Sequence, residues 1–117
     1  ALSSNKSSAD FQMAQQDGKP LYQVVMEKMM SISNPDNMMF VVGATKADKL
    51  AEIRKFCPDN FFLVPGVGAQ GGSAEEVIEH GANAMGGLLI NSSRGIIYAS
   101  NGEDFAEAAG RAAANLM

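Results

Sequence analysis

One loop of the chain is rich in the residue types that bind small anions. The segment Pro65-Gly66-Val67-Gly68-Ala69-Gln70-Gly71-Gly72 has four glycines within seven residues. Backbone amides in such a loop converge readily on an anion, and Gln70 adds a side-chain amide donor. The capping-box pattern of residues 73–76 follows it and predicts the positive end of a helix nearby. The segment therefore predicts an anion or phosphate site; the alternative is a turn-rich connection without a ligand.

A second loop places an arginine where it is electrostatically disfavoured. In Asn91-Ser92-Ser93-Arg94-Gly95-Ile96-Ile97-Tyr98 we expect a strand end and then a short extra helix, capped by one of the first three residues. Arg94 falls in the first turn of that helix, close to its positive end, which hints at a bound negative group. Its guanidinium fork suits a phosphate dianion. Taken alone, Arg94 also fits a solvated surface residue, but the neighbouring glycine-rich loop favours a phosphate site.

A dinucleotide site is the rival interpretation of the glycines. Gly66-x-Gly68-x-x-Gly71 matches the G-x-G-x-x-G fingerprint, which also needs an acidic residue at the end of the next strand. Here that strand ends in Asn91, and Pro65 precedes the first glycine. These departures count against the dinucleotide site. The sequence has no metal-ligand cluster, catalytic triad or Walker motif.

The elements that position these loops alternate between strand and helix. Three nearly continuous apolar runs, Met38–Val42, Phe61–Val64 and Gly87–Ile90, are typical of parallel strands buried on both faces. Helical patterns lie before, between and after them, with starts at Pro20, Thr45 and Ser73. If residues 1–4 end an earlier strand, the chain has four βα units and an α/β fold with a parallel sheet. These four units equal about half of a (β/α)8 barrel of ~250 residues; an open sheet with helices on both faces is the alternative.

Three of the four helical patterns rest on spaced apolar residues, which we expect to face the core, and the pattern at residues 73–81 rests on its capping box and Gly81. Gly81 is expected to end its helix as a left-handed residue. The apolar stripes are as follows: Tyr22, Val25, Met26 and Met29 in the first helix, Leu50, Ile53 and Phe56 in the second, and Phe105, Ala108, Ala109, Ala112 and Leu116 in the last.

Composition narrows the class of protein. The chain has 117 residues, of which 46% are hydrophobic, and a net charge of -4. An acidic balance argues against a nucleic-acid binder, and no apolar run approaches the ~20 residues of a membrane helix. One cysteine, Cys57, rules out an internal disulfide framework and fits a reducing compartment. We expect a soluble cytoplasmic protein, with no membrane or nucleic-acid partner.

The two loop motifs, with Val42-Gly43-Ala44-Thr45 and Ser4-Asn5 upstream, resemble the orotidine 5'-phosphate decarboxylase family, in its longer bacterial branch. The resemblance covers essentially all 117 residues and matches the C-terminal half of the family's (β/α)8 barrel, strands five to eight. It implies an enzyme of pyrimidine biosynthesis that converts orotidine monophosphate to UMP and carbon dioxide, without metal or cofactor. It assigns phosphate binding to Gln70, Gly71, Gly72, Arg94 and Gly95, and the pyrimidine pocket to Ser4, Pro65 and Asn91. One departure is Lys6, which stands where the family tends to have proline.

The family's catalytic Asp-x-Lys-x-x-Asp run is absent from the sequence. We therefore expect residues 1–117 to form a single (βα)4 half-barrel domain, a fragment of a longer (β/α)8 protein, that is inactive alone. The alternative is a non-catalytic half-barrel module that binds a nucleotide or another phosphate ligand. In either case the exposed inner face of the sheet predicts a homo-oligomer or a missing N-terminal half.

Overall fold

The computed structural model has an α/β fold and describes residues 2–3, 5–44, 47–68 and 72–116. The elements in chain order are α1 Ser8–Phe11, β1 Gln15–Gln16, β2 Lys19–Pro20, α2 Leu21–Met30, β3 Phe40–Val41, α3 Ala47–Phe56, β4 Phe62–Pro65, α4 Ala74–Gly81, β5 Leu88–Asn91, α5 Arg94–Ile97 and α6 Phe105–Ala114. The alternation of apolar runs and helical stripes in the sequence is therefore the order of the main elements. The expected cap at Thr45 lies outside the described residues.

The main sheet is parallel, and its strands lie in chain order. Strand β3 pairs with β4 and β4 pairs with β5, both in parallel. Leu2 forms a parallel bridge to Val42, and its carbonyl accepts a hydrogen bond from the Gly43 amide at 2.8 Å. The start of the chain thus adds a fourth segment, as the four βα units predicted. The order does not reverse within the described residues, unlike that of a doubly wound sheet.

One face of the sheet forms the core and the other is only partly covered. Phe62 and Val64 are fully buried, whereas Leu63 and Pro65, which alternate with them, are partly exposed. In β5 the alternate residue Leu89 is 48% exposed. The expectation that these strands are buried on both faces is therefore wrong. Apolar residues on the open face make the runs look continuous in sequence.

The predicted helical stripes hold for the residues closest to the sheet. Leu50 and Ile53 of α3 and Met26 of α2 are fully buried. Two members of the predicted stripes are instead exposed: Val25 by 49% and Phe105 by 61%. Phe105 is the first residue of α6. None of the described helices is long and apolar enough to cross a membrane.

Gly81 ends α4 for a packing reason and not for a conformational one. It is the last helical residue, and the positive-φ glycines lie elsewhere in the described chain. The expectation of a left-handed residue at Gly81 is therefore wrong. A Cβ at this position would lie 2.5 Å from Cδ2 of Leu50 and 3.1 Å from Cδ2 of Leu88. The glycine lets α4 pack closely against α3 and β5.

The hairpin of β1 and β2 is an element that our sequence analysis missed. Its two central residues, Asp17 and Gly18, have φ values of 52° and 77°. This is the geometry of a two-residue type I′ turn, for which Asp-Gly is a favoured pair. The Asp-Gly pair was the available signal, but the flanking residues lack the alternating apolar pattern of strands.

Arg54 connects four segments at the amino end of the sheet. Its guanidinium donates to five main-chain carbonyls, those of Cys57, Pro58, Asn60, Gly81 and Gly87, at 2.8–3.1 Å. The same group stacks over the Phe62 ring, 3.8 Å from its centroid. Burial lowers the pKa of Arg54, and the nearby Asp59 opposes that shift. A single side chain thereby joins the ends of α3 and α4 to the starts of β4 and β5.

Candidate functional site

Strands β4 and β5 bring the two predicted anion-binding loops together. They pair in register as far as Pro65 and Asn91, which lie opposite each other at the carboxyl ends of the strands. Pro65 is partly exposed and Asn91 is exposed. Both loops therefore start from adjacent positions at the edge where barrels of this class bind ligands. The structure places Pro65 and Asn91 side by side, and their contact with a pyrimidine stays a prediction.

The glycine-rich loop is closed at its base. The amide of Gly68 donates to the carbonyl of Gly72 at 2.9 Å, and Val67 forms a parallel bridge to Gly72. Gly66 and Gly68 have φ values of 97° and 75°, a region in which other residues are strained. The tip of the loop, including the predicted Gln70 and Gly71, lies outside the described residues. The described part of this loop, at residues 66–68 and 72, lies beyond the carboxyl end of β4 and is closed by main-chain contacts.

Gly72 is required by the close approach of Ala44, three residues after the end of β3. It is buried, and a Cβ there would lie 2.6 Å from Cβ of Ala44 and 3.2 Å from the carbonyl oxygen of Gly66. The contact below 3.0 Å is with the Ala44 Cβ, which is fixed to the main chain and cannot rotate away. A larger residue at position 72 would therefore push the loop away from Ala44. The absence of a side chain at Gly72 thus fixes the loop's position against the end of β3.

Helix α4 supplies its own negative charges. The Ser73 hydroxyl accepts from the Glu76 amide at 3.3 Å, which confirms Ser73 as the N-cap. The reciprocal bond from Glu76 to the Ser73 amide is not formed among the described residues; instead, the Ser73 hydroxyl donates to the Glu75 carboxylate at 2.6 Å. That bond lowers the pKa of Glu75. With two carboxylates in its first turn, this helix end is not by itself an attractive anion site.

Arg94 is a positively charged group at this edge of the sheet. It is the first residue of α5 and is exposed, and within the described chain no carboxylate lies at ion-pair distance from it. The N-cap of α5 is Ser93, whose side chain makes no hydrogen bond to the helix. Gly95 follows Arg94 and is also exposed. The short helix and the position of Arg94 in its first turn are therefore as predicted, whereas phosphate binding by Arg94 and Gly95 stays a prediction.

Two polar residues that our sequence analysis did not single out join the segments of this edge. The Ser92 hydroxyl donates to the Val67 carbonyl at 3.2 Å and so connects the two loops. The Gln12 side chain accepts from the Ser3 amide at 2.9 Å and donates to the Ser3 hydroxyl at 3.2 Å. Ser4, the predicted pyrimidine contact, lies outside the described residues. Ser92 and Val67 are 25 positions apart and Gln12 and Ser3 are nine apart, so neither contact belongs to a local helix or strand pattern.

The described charged groups at this edge are the Glu75 and Glu76 carboxylates and the Arg94 guanidinium. In the part of the chain that the structure describes, no group of three or more His, Cys, Asp or Glu residues is arranged to hold a metal ion. As far as the structure describes it, the candidate site combines loop amides, small polar side chains and Arg94. Such a set can bind and orient an anionic group, and it includes no described side chain suited to proton transfer.

Parallel strands in chain order, with candidate anion-binding loops at their carboxyl ends, define a protein built on part of a (β/α)8 barrel. Comparison with known proteins agrees and is more specific. The model of the orotidine 5'-phosphate decarboxylase / HUMPS family matches residues 1–109. The chain belongs to this family.

Relatives of known name cover nearly the whole chain. An orotidine 5'-phosphate decarboxylase from Christiangramia forsetii is 58% identical over 110 residues, which are 94% of this chain and 40% of that protein. The enzyme of the same name from Porphyromonas gingivalis is 56% identical over 116 residues, 97% of this chain and 42% of that protein. The chain thus spans about two fifths of the length of these curated relatives.

Solved structures give the same result. The UMP synthase of Leishmania donovani superposes with a TM-score of 0.78 at 38% identity, over 97% of this chain and 25% of that one. The OMP decarboxylase of the same organism gives a TM-score of 0.73 at 35% identity, over 92% of this chain and 41% of that one. The sheet described above is therefore a part of the barrel of these neighbours.

Proposed function

We propose that this chain is the phosphate-binding part of an orotidine 5'-phosphate decarboxylase, which converts orotidine monophosphate to UMP and carbon dioxide in pyrimidine biosynthesis. The observation that carries the proposal is the register of β4 and β5. It starts the glycine-rich loop and the arginine-bearing loop side by side, at Pro65 and Asn91. Family membership supplies the substrate, and the adjacency of the two loops supports a shared phosphate site.

The charges of the site favour Arg94 as the main partner of the phosphate. Glu75 and Glu76 already occupy the first turn of α4, so that helix end contributes little attraction for a dianion. Arg94 has no competing carboxylate within the described residues and a fork that matches phosphate oxygens. Gln70 and the amides of Gly71, Gly72 and Gly95 are the proposed neutral donors around it.

The remaining proposed contacts serve the nucleoside. Ser4, Pro65 and Asn91 are the proposed pocket residues for the pyrimidine. Phosphate lies far from the carbon that loses carbon dioxide, so its binding energy does not act on the reacting bond directly. It acts by holding the substrate and by stabilising closed loops, which raises turnover as well as affinity. In a complete enzyme, replacing Arg94 would therefore lower both.

The reacting groups belong to another part of the relatives' chain. The family's Asp-x-Lys-x-x-Asp run, whose lysine protonates the developing carbanion, does not occur in these 117 residues. We infer that this chain corresponds to the C-terminal half of the barrel and does not decarboxylate by itself. Measurable turnover by the purified chain would refute this inference.

The open face of the sheet supports a need for a partner. Leu89 is 48% exposed and Met39 is 45% exposed, and Leu63 beside Leu89 is partly exposed. In a closed barrel this face is the packed interior. We propose that the N-terminal half of the relatives covers it, or, in the chain alone, a second copy. Analytical ultracentrifugation of the chain tests this: a stable monomer at all concentrations contradicts self-association.

Titration of the chain with UMP and with uridine tests the phosphate site. The chain should bind UMP more tightly than uridine, and Arg94→Ala should remove about tenfold or more of the UMP affinity, given the strength of a charge-assisted pair. Arg111→Ala is the matched control, because Arg111 is 64% exposed and forms only long ion pairs on α6. Equal UMP affinity in the two variants would remove Arg94 from the site. A decarboxylation assay of the same samples separates an enzyme from a binding module.

A further inference from the structure

We propose that Ser92 is a positioning residue that holds the arginine-bearing loop against the glycine-rich loop and so sets where Arg94 meets a phosphate group. The inference rests on the proposed function, because it concerns the same phosphate site. Ser92 does not touch the phosphate in this proposal; it acts through the placement of Arg94.

The hydrogen bond of Ser92 crosses between the two loops. Ser92 follows β5 directly and is half-buried, and its hydroxyl donates to the Val67 carbonyl at 3.2 Å. Val67 is well packed, since it is 3% exposed and forms a β-bridge to Gly72 at the closed base of its loop. Within the described residues, this is the only side-chain hydrogen bond between the loop after β4 and the loop after β5.

The same hydroxyl lies close to the first turn of α5. A Cβ at Gly95 would lie 2.7 Å from the Ser92 Oγ, so this turn of the helix passes close to the hydroxyl. The amides of Ile96 and Ile97 bond to the Ser93 carbonyl at 3.1 and 2.9 Å, which makes the turn a rigid unit. Because Arg94 lies in this turn, a shift at Ser92 moves the base of the Arg94 side chain as well.

The neighbouring residue Ser93 makes a different hydrogen bond from that of Ser92, which connects the two loops. Ser93 donates to the Asn91 Oδ1 at 3.2 Å, within its own loop. Among the described residues, it makes no hydrogen bond to the glycine-rich loop. The two adjacent hydroxyls therefore have different roles, one between the loops and one local.

Calorimetric titration of the full 117-residue chain with UMP and uridine tests the inference. Ser92→Ala should lower UMP affinity by about 3- to 10-fold, the value of one hydrogen bond, and leave uridine affinity unchanged. Ser92→Thr keeps the hydroxyl and should retain most of the UMP affinity. Ser92→Val, in which the valine has the same shape as the threonine but no hydroxyl, should lose UMP affinity as Ser92→Ala does. This second pair keeps the test decisive if Ser92→Ala fails to fold.

The matched control is Ser33→Ala. Ser33 is also half-buried and donates to a main-chain carbonyl, that of Met29 at 2.7 Å, but it lies between α2 and β3, away from the carboxyl ends of the strands. This variant should bind both ligands as the parent does. A loss of UMP affinity equal to that of Ser92→Ala would mean that the Ser92 effect reflects general loosening, and would overturn the proposal.

A double-mutant cycle with Arg94→Ala separates positioning from direct binding. If Ser92 acts through Arg94, Ser92→Ala should cost less than about twofold once Arg94 is absent, because interacting residues are non-additive. Full additivity, or UMP binding that depends on Arg94 but not on Ser92, would refute this inference alone. Failure of the parent chain to bind UMP more tightly than uridine would refute the proposed function, and this inference with it.

Discussion

Removing the guanidinium of Arg54 should destabilise the fold more than any surface substitution, even though Arg54 has no carboxylate at ion-pair distance within the described chain. The test variant is Arg54→Met, which keeps most of the aliphatic side chain. Of the five carbonyls that Arg54 contacts, four belong to buried residues. One of these, the Gly87 carbonyl, keeps a second donor, the Phe62 amide at 2.9 Å. The other three lose their described donor.

The magnitude follows from those three carbonyls. Each buried carbonyl left without a donor costs about 1 kcal/mol or more, and the lost stacking on Phe62 adds about 0.5 kcal/mol. Desolvation of the half-buried guanidinium is recovered in the variant and offsets part of this. We expect Arg54→Met to lower the free energy of unfolding by about 3 kcal/mol. Arg54→Lys should lose about half as much, because an ammonium group has three donors and no planar fork.

Urea unfolding followed by circular dichroism measures these differences, with unchanged slopes as the sign that the folded and unfolded ensembles are comparable. Arg111→Met is the matched control. Arg111 is 64% exposed and pairs with Asp104 and Glu107 only at 3.6 and 3.9 Å, so its loss should cost under about 0.5 kcal/mol. If Arg54→Met and Arg111→Met were equally stable, the carbonyl contacts would contribute nothing and the reasoning would fail.

Three further predictions concern other parts of the chain. Gly72→Ala should lower the free energy of unfolding by about 1–3 kcal/mol, because the added methyl group would clash with Ala44. Gly110→Ala should raise the free energy of unfolding by up to about 1 kcal/mol, because alanine favours the helix and the space around this position in α6 is open. Urea unfolding that showed the same direction of change for both variants would contradict the packing argument. Burial raises the pKa of the Cys57 thiol, so the stability that the buried thiol contributes is present below its unfolded-state pKa of about 8.5 and is lost as pH rises above it. Cys57→Ala should therefore flatten the decline in the midpoint of thermal unfolding above about pH 8.5, and an equally steep decline in the variant would argue against it. Gln12→Ala should lower the free energy of unfolding by about 1–2 kcal/mol. Gln12→Glu should lower it by less, because the glutamate carboxylate still accepts a hydrogen bond from the Ser3 amide. Equal losses for the two variants in urea unfolding would mean that the hydrogen bond to the Ser3 amide does not stabilise the fold.

The parts of the fold that the sequence predicted correctly are those set by short-range patterns. The apolar run at residues 61–64 became β4, and the serine before Ala74 became the N-cap of α4. The proline at position 20 directly precedes α2, as expected for a residue with a fixed φ. Periodicity and capping depend on neighbours in sequence, so they can be recognised without the structure.

Features set by long-range contact could not be recognised in the same way. Gly81 looks like a helix-ending glycine in sequence, and only the position of Leu50 explains it. Arg54 lies in α3 like any charged helix residue, although its acceptors extend to Gly87, 33 positions away. Val25 fits the apolar stripe of α2, yet nothing in the local pattern indicates that its side of the helix is half-exposed.

The candidate site shows the same division. The glycine-rich segment and Arg94 were found from residue type and position, and the sheet register brings their two loops together. The contact from Ser92 to Val67, 25 positions apart, depends on how two strands pair and has no sequence signature. Residues that are expected to meet a ligand were therefore visible in the sequence, and a residue that holds one loop to the other was not.

Strand order in the sheet has a consequence for how the chain acquires its structure during synthesis. Within the three-stranded sheet, β4 pairs with β3 and β5 pairs with β4, with Phe40 beside Phe62 and Phe62 beside Leu88, 22 and 26 residues later. A nascent chain emerging from the ribosome therefore never has to wait for a distant partner, because the acceptor strand is already outside. Folding can advance one unit at a time, and a pause in translation between units would leave a partly built sheet whose outer strand waits for its successor.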